Sequence, residues 1–307
     1  MSKNKQFIQS VLLVSLTFMI SGYITQHTAL AQEDDFIVEE DVTYSRVGDV
    51  ELKLDLARPA TGRGPFPALV FIHGGWWQEY TRKVLILDIR LAAKRGYVGV
   101  TIDHRLTIVK ENGKSKYPYP AQIYDVKCAI RWLRANARKY KIDPNHIGVI
   151  GFSSGGHLAL MLGLTEPSDG LEGKCGKMKY SSQVQAVVNL AGITELESCY
   201  YYGAQFYQPF FQDFLEGTPD EVPQKYKVSS PLTYVSINDA PVLTIHGDKD
   251  VDVPPNQAEL LDERMKEVGA IHTLIIKKGT EHRRELLFNL MEDYPVWDFF
   301  DKHLKGN

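Results

Sequence analysis

Apolar runs of strand length alternate with longer stretches of helical periodicity along most of this sequence, and this alternation restricts the possible folds more than any other feature. The runs FPALVFI (66–72), YVGVTID (97–103) and HIGVI (146–150) are nearly continuous in apolar residues, as strands buried on both faces are. VQAVVNL, PVLTIHG and IHTLIIK follow, with amphipathic stretches between most of the runs. This pattern predicts an α/β protein with a mostly parallel sheet of about eight strands and helices on both faces.

One earlier segment has a different pattern. VELKLDLARP (50–59) alternates apolar and polar residues, which predicts an antiparallel edge strand with one solvated face. The whole chain has 307 residues, enough for one sizeable domain, and its apolar and charged fractions of 44% and 24% exclude a disordered or collagen-like class. A formal charge of −3 favours neither nucleic-acid binding nor strong attraction to a membrane surface.

The first 31 residues differ from the rest. MSKNKQ carries two lysines and no acidic residue, an apolar stretch occupies residues 7–24, and small residues follow at Ala29 and Ala31. This order predicts a secretory signal peptide cleaved after Ala31. The alternative is an uncleaved membrane anchor, because the stretch approaches the ~18 residues that a span needs. We expect a secreted or periplasmic protein, with a single domain over 32–307 and no stable membrane association after cleavage.

The three cysteines were assigned from their surroundings. Cys128 lies on the apolar side of a helical pattern, which predicts a buried free thiol. Cys175 and Cys199 flank one predicted strand in loop-like sequence, and an oxidising compartment would allow them to pair. Their spacing leaves open whether they form a disulfide.

Residues 192–230, here called the cap, are unusually rich in aromatic side chains. Because the segment is inserted after a predicted strand, we expect it to cover the strand ends. Some of its rings should pack into the core, whereas tyrosines need partners for their hydroxyl groups and some should line a cleft. The aromatic residues concerned are Tyr200, Tyr201, Tyr202, Phe206, Tyr207, Phe210, Phe211 and Phe214.

The stretch GFSSGG (151–156) lies between a predicted strand and a predicted helix. A serine on such a tight turn projects its hydroxyl above the sheet, and small neighbours are needed because strand and helix approach closely there. The helix that follows adds free N–H groups and a favourable dipole for negative charge. Ser153 is at the centre of this G-x-S-x-G pattern, so Ser153 is the predicted nucleophile.

A serine hydroxyl needs a base, usually a histidine oriented by a carboxylate. His282 follows the last predicted strand in a short loop, at the edge where α/β sheets place their sites. Asp248, Asp250 and Asp252 follow the preceding strand, and spacing alone does not choose among them. The chain order of serine, aspartate and histidine matches one of the known triad orders.

HGGWW (73–77) ends the strand ALVFI, where glycines leave N–H groups free to approach a ligand. Together with the N–H of Ser154, these groups could bind the oxygen of a tetrahedral intermediate.

In combination these motifs resemble the α/β-hydrolase carboxylesterases, particularly hormone-sensitive-lipase-like esterases and bacterial feruloyl or acetylxylan esterases. HGGWW is similar to their oxyanion motif, GFSSGGHLAL to their nucleophile turn, and HGDKDVDVP to their H-G-x-x-D-x-x-V-P. The resemblance covers roughly residues 40–305. It implies an α/β-hydrolase fold, selects Asp250 as the orienting acid, and gives the N–H groups of Gly75, Trp76 and Ser154 as oxyanion donors, with His73 structural.

Two positions depart from the family pattern. Charged residues flank His282 in Glu281-His282-Arg283, where relatives carry small ones, and such neighbours can change a histidine pKa. Trp76 stands where hormone-sensitive-lipase-like esterases carry a third glycine, which favours the feruloyl and acetylxylan esterase branch.

The resemblance implies a serine carboxylesterase for short or aromatic acyl esters, including acetyl or feruloyl groups on plant polysaccharide. It implies no metal and no organic cofactor. The predicted substrate-binding residues are Trp77, Tyr201, Tyr202 and Phe206. The alternatives are a prolyl-oligopeptidase-type peptidase, an amidase or lactone hydrolase, and a non-catalytic binding protein with a hydrolase fold. The natural ester and the oligomeric state are left open.

Overall fold

The fold was analysed on a computed structural model that describes residues 35–109, 113–283 and 295–306. The predicted signal peptide lies outside the described residues. The described residues from Phe36 onward belong to one compact unit.

One eight-stranded sheet organises this unit, and six of its strands coincide with the apolar runs of the sequence. A separate pair of two-residue strands, β5 (Ile108–Val109) and β6 (Ser115–Lys116), lies outside the sheet. The strands of the main sheet are β1 (Phe36–Val47), β2 (Val50–Pro59), β3 (Phe66–Ile72), β4 (Val98–Ile102), β7 (Ile142–Phe152), β8 (Ala186–Leu190), β9 (Val242–Gly247) and β10 (His272–Lys277).

The strand order is β1-β2-β4-β3-β7-β8-β9-β10. β2 pairs antiparallel with both β1 and β4, and every other pairing in this sheet is parallel. The prediction of a mostly parallel sheet of about eight strands is therefore confirmed. The expectation that residues 50–59 form the edge was wrong, because β1 lies outside β2 and covers it. The acidic start of β1 concealed this strand in the sequence.

Helices cover both faces of the sheet, and each face has its own apolar core. On one face Ile89, Trp297 and Phe300 pack against Leu69 and Ile150. On the other face helices carrying Ile123, Leu158 and Leu261 pack against Val70 and Val149. The helices are α1 (Ile86–Lys94), α2 (Ala121–Ala135), α3 (Ala137–Tyr140), α4 (Ser154–Leu164), α5 (Leu196–Tyr202), α6 (Gln208–Leu215), α7 (Pro223–Ser229), α8 (Asn256–Val268) and α9 (Pro295–Phe300).

The cap contributes α5, α6 and α7 between β8 and β9. Phe211, Phe214 and Tyr226 are buried, whereas Tyr202 and Phe206 are among the most exposed large side chains. None of the described helices is both long enough and apolar enough to cross a membrane.

The expectation of a free thiol at Cys128 was wrong, and the pairing of Cys175 with Cys199 that the spacing left open does not occur. Cys128 on α2 is bonded to Cys175, with their Cα atoms 5.7 Å apart, and Cys199 is the buried free thiol. Glu172 brings the loop onto α2, because its carboxylate accepts hydrogen bonds from Lys127 at 2.6 Å and Arg131 at 2.7 Å. Arg131 also donates to the carbonyl of Cys175 at 2.9 Å. The buried position of Cys128 was predicted correctly from the sequence, but the docking of the loop depends on charged residues that are 41 and 45 positions apart in the chain.

Candidate active site

The turn between β7 and α4 forces Ser153 into a strained conformation. Its φ of 57° and ψ of −125° are sparsely populated for a residue with a side chain. A Cβ atom on Gly151 would lie 2.1 Å from the carbonyl oxygen of Gly155, and one on Gly155 would lie 2.3 Å from that of Ile72. Both positions therefore require glycine. The turn has the geometry of a nucleophile elbow and presents the Ser153 hydroxyl at the carboxyl edge of the sheet.

Three side chains from three strand ends form a continuous chain of hydrogen bonds. The Oγ atom of Ser153 lies 3.0 Å from Nε2 of His282, and Nδ1 of His282 lies 2.6 Å from Oδ2 of Asp250. A neutral imidazole that donates from Nδ1 to the carboxylate leaves Nε2 free to accept the serine proton. The geometry is that of a serine nucleophile with its general base and an orienting acid.

The structure distinguishes the three candidate aspartates. Only Asp250 contacts His282 among them. Asp248 instead accepts a hydrogen bond from the N–H of Gly279 at 2.6 Å, and Asp252 accepts one from the hydroxyl of Tyr207 at 3.4 Å. The position of Asp250 agrees with the one implied by the family resemblance.

Asp250 is buried, and hydrogen bonds stabilise its carboxylate form. Its Oδ1 atom accepts the N–H groups of Asp252 at 3.1 Å and Val253 at 2.9 Å. Nε2 of His246 lies 3.4 Å from its other oxygen and 2.8 Å from the carbonyl of Val253. Burial alone raises the pKa of Asp250, but hydrogen bonds from His246 and His282 outweigh it and hold the pKa below its usual value. The acid is therefore ionised at neutral pH.

The oxyanion loop, residues 73–79, has an unusual backbone. Gly75, Trp76 and Trp77 have φ angles of +102°, +51° and +61°, three consecutive residues in the left-handed region. The carbonyl of Gly75 accepts the N–H groups of Gln78 at 2.9 Å and Glu79 at 3.0 Å. Within the described residues, the N–H groups of Gly75, Trp76 and Ser154 donate no hydrogen bond, so they are free to bind a ligand.

A cavity of about 540 Å³ opens beside the Ser153 hydroxyl. Its walls are largely apolar and aromatic, with one carboxylate at Glu79. Trp76 is stacked on Tyr207 at 4.3 Å, and Tyr207 contacts Phe206 edge-on at 5.3 Å, so an aromatic wall leads from the oxyanion loop to solvent. The lining residues are Ile72, His73, Gly74, Gly75, Trp76, Glu79, Tyr80, Val84, Leu85, Phe152, Ser153, Phe206, Tyr207, Phe210 and His282.

The predicted substrate-binding residues are placed in different environments. Phe206 lines the cavity mouth and is 77% exposed. Trp77 is fully buried and does not line the cavity, so its predicted contact with substrate was wrong. Tyr201 and Tyr202 also lie outside the cavity wall, and the hydroxyl of Tyr201 lies 3.3 Å from Asp220 instead. These tyrosines are the last two residues of α5 and are exposed on the surface of the cap.

Sequence reasoning missed several wall residues. Tyr207 and Phe210 belong to the aromatic run but were not separated from Phe211 and Phe214, because all four recur at helical spacing. Val84 and Leu85 come from a short 3₁₀ turn after the oxyanion loop, and no motif marks them.

Two buried imidazoles, one of them in the oxyanion loop, pack against each other. His73 and His104 are stacked at 4.6 Å. Burial lowers the pKa of His73, against the effect of a hydrogen bond to the carbonyl of Gly74, and it lowers the pKa of His104 to about 3. Both rings are therefore neutral at ordinary pH.

One group of carboxylates in the described part of the chain is compact enough to share a metal ion, namely Glu40, Asp41 and Asp55. Two cations already pair with it. Lys83 lies 2.7 Å from Glu40 and 3.0 Å from Asp55, and Arg82 pairs with Asp41 and Asp55. The group is an ion-pair network that joins β1 and β2 to the turn before α1.

Comparison with known proteins identifies a family model and several related esterases. The BD-FAE family model matches residues 54–265. Esterase LipC of Mycobacterium tuberculosis is 35% identical over 212 residues, covering 67% of this chain and 49% of LipC. The chain thus spans about half the length of the curated relatives it matches.

Two solved structures share the fold over almost all of the described chain. A truncated carbohydrate esterase from gut microbiota has a TM-score of 0.74 at 28% identity, with 89% of this chain and 98% of that chain covered. A bifunctional GH43-CE protein of Bacteroides eggerthii has a TM-score of 0.75 at 30% identity, with 88% and 38% covered. The fold is that of the α/β-hydrolases.

Proposed function

The chain belongs to the BD-FAE family, and from that premise we propose that it is a serine carboxylesterase that works through an acyl-enzyme. The observation that carries the proposal is the hydrogen-bond chain from Ser153 through His282 to Asp250. An activated serine beside unoccupied N–H donors is the arrangement that acyl transfer needs.

In the acylation half, Ser153 Oγ attacks the ester carbonyl carbon while its proton moves to Nε2 of His282. The Asp250 carboxylate stabilises the imidazolium that forms. The N–H groups of Gly75, Trp76 and Ser154 bind the oxyanion. The tetrahedral intermediate then loses the alcohol, which takes the proton from Nε2, and the acyl group stays on Ser153.

Deacylation repeats these steps with water. His282 removes a proton from the water molecule as its oxygen attacks the acyl carbon, and the same N–H groups bind the second oxyanion. Collapse of this intermediate returns the proton to Ser153 Oγ and releases the carboxylic acid. Every group required is supplied by the chain itself.

The substrates we propose are short or aromatic acyl esters of carbohydrate hydroxyls, such as acetyl or feruloyl groups on plant polysaccharide. Phe152, Val84 and Leu85 give the cavity apolar surface for an acyl group. The exposed rings of Phe206 and Tyr80 at its mouth suit the flat faces of sugar rings. The likeness to a carbohydrate esterase supports the same alcohol class.

The test of the reaction is hydrolysis of p-nitrophenyl acetate with labelling by a fluorophosphonate. We expect Ser153→Ala to lose roughly 10⁶-fold in kcat and to take no label. The neighbouring variant Ser154→Ala keeps its backbone N–H and should retain far more activity. Turnover by Ser153→Ala, or a label on a different residue, would exclude Ser153 as the nucleophile.

The substrate class is tested with acetylated xylan, methyl ferulate and a peptide p-nitroanilide at matched concentrations. We expect hydrolysis of the esters and none of the anilide. Preferential cleavage of the anilide would instead establish the peptidase alternative.

We also propose that residues 1–31 are removed on export. The Cys128–Cys175 disulfide supports this proposal, because disulfides persist in oxidising compartments. Amino-terminal sequencing of the protein recovered from its source should begin at Gln32, and an intact Met1 would refute cleavage.

A further inference from the structure

Trp77 contacts two other parts of the molecule, although its side chain does not line the cavity beside Ser153. Its indole Nε1–H lies 3.2 Å from Nδ1 of His157, and its backbone N–H lies 3.4 Å from Oγ of Ser154. Its ring is stacked on Phe214 of the cap, with centroids 4.0 Å apart and an angle of 5° between planes. The residue immediately after the oxyanion donors is thereby attached to the nucleophile helix and to the cap.

His157 completes this attachment from one turn beyond the nucleophile. Its backbone N–H donates to the carbonyl of Ser153 at 3.0 Å, so the backbone of His157 is fixed relative to the elbow. Its Nε2 atom lies 2.8 Å from the carbonyl of Ser229, at the end of α7. A carbonyl can only accept, so Nε2 carries the proton and Nδ1 is left as an acceptor for the indole of Trp77. The ring is fully buried, and burial lowers the pKa of His157 to about 4, which keeps it neutral.

The oxyanion loop needs such an attachment because its backbone is strained. Left-handed φ angles at Trp76 and Trp77 are unfavourable for residues with side chains and persist only where surrounding contacts hold them. Oxyanion donors contribute to catalysis only when they are held within about 0.5 Å of their productive position. A buried hydrogen bond of fixed polarity, with a stacked ring, supplies that restraint.

We propose that Trp77 and His157 are positioning residues, which hold the N–H groups of Gly75 and Trp76 at the distance from Ser153 that oxyanion binding needs. The inference rests on the proposed function and adds the means by which its oxyanion site is held. It also gives the Ser154 hydroxyl a positioning role, because its oxygen accepts the hydrogen bond from the backbone N–H of Trp77. The residue predicted to bind substrate acts instead through the loop.

The test compares Trp77→Phe with the wild-type protein. Phenylalanine keeps the stack on Phe214 and removes the indole N–H. We expect kcat for p-nitrophenyl acetate to fall about 10- to 100-fold, the range for residues that orient catalytic groups, with KM nearly unchanged. The affinity for phenylboronic acid, which forms a tetrahedral adduct with the serine, should fall by the same factor as kcat/KM.

A double-mutant cycle identifies the hydrogen bond as the cause. His157→Phe removes the acceptor, and the double variant should lose little more than either single variant, since one contact is removed only once. Additive losses would overturn the role of this pair. His157→Asn gives a second route to the same measurement if a phenylalanine variant does not fold, which circular dichroism will show.

A matched control separates positioning from general loss of stability. Trp297→Phe makes the same change at a buried tryptophan on the opposite face of the sheet. We expect Trp297→Phe to lower the melting temperature and to leave kcat and the affinity for phenylboronic acid unchanged. If Trp77→Phe does the same, the proposal is wrong. Continued fluorophosphonate labelling of Ser153 in that case would leave the proposed esterase function intact.

Discussion

The proposed site has two sides that meet at Ser153 and are supported differently. We call them the acid–base side, Ser153 with His282 and Asp250, and the oxyanion side, residues 73–79 with the cap. The acid–base residues follow the ends of three parallel strands, so the sheet itself brings them together. The oxyanion loop also begins at the end of a parallel strand, β3, but its left-handed turn at residues 75–77 lies beyond the strand pairing and is held by side chains from α4 and the cap. One side thus depends on backbone register and the other on a few buried contacts, which makes the two sides separately testable.

The largest expected effect concerns the acid–base side. Asp250→Asn should lower kcat by about 10⁴-fold, because an amide can no longer hold the Nδ1–H tautomer of His282. Asp248→Asn is the matched control, since Asp248 contacts Gly279 and not His282. Steady-state kinetics on p-nitrophenyl acetate measure both. Equal losses of kcat in the two variants would contradict the assignment of Asp250 as the orienting acid. They would also contradict the comparison of the two sides of the site.

The oxyanion side should be the more sensitive to acid. The folded pKa of His157 is about 4, below the ~6.5 of an unfolded histidine. The unfolded state therefore binds more protons at this residue between these values, and the contribution of His157 to the free energy of unfolding should fall by about 3 kcal/mol as pH drops from 6.5 to 4, in addition to the contributions of the other buried histidines. The carboxylate of Asp250 has a lowered pKa, so its own contribution is lost only below the unfolded value near 3.9.

Urea unfolding at several pH values measures this slope. His157→Phe lacks the titrating group and should show a shallower fall between pH 6.5 and 4. An unchanged slope would mean that His157 is not the group responsible.

The smallest expected effect is at the cavity mouth. Phe206→Ala should lower kcat/KM for acetylated xylo-oligosaccharides by about tenfold, equal to ~1.4 kcal/mol of lost contact, while p-nitrophenyl acetate turnover stays the same. Tyr202→Ala is the control, because Tyr202 is 75% exposed on the same cap but does not line the cavity. Parallel losses on both substrates would show that Phe206 supports the loop and not the sugar.

The two sides also differ in how well a sequence predicts them. Gly151 and Gly155 are required because a Cβ atom at either position would lie 2.1–2.3 Å from a backbone oxygen. Such a requirement is visible in the sequence as a local glycine motif. Strand ends are similarly readable, which is why Ser153 and His282 could be singled out. Selecting Asp250 from its acidic neighbours required the family resemblance, because all three occupy one loop.

No local sequence motif marks the contacts of Trp77 and Cys128. The hydrogen-bond partner of Trp77, His157, is 80 positions away on α4. The disulfide partner of Cys128, Cys175, is 47 positions away in a loop held by Glu172. The helical pattern predicted the apolar surroundings of Cys128, but nothing in the sequence predicted which residues Trp77 and Cys128 would contact. Tertiary packing decides this, and a single sequence carries little information about it.

The disulfide has a further consequence for how the protein would be degraded. Cys128 and Cys175 close a covalent ring in the chain that contains Ser153, whereas Asp250 and His282 lie outside it. A protease that cuts once inside this ring leaves both pieces covalently joined. The nicked protein would run as a single species on a denaturing gel and separate into two fragments only after a reductant is added.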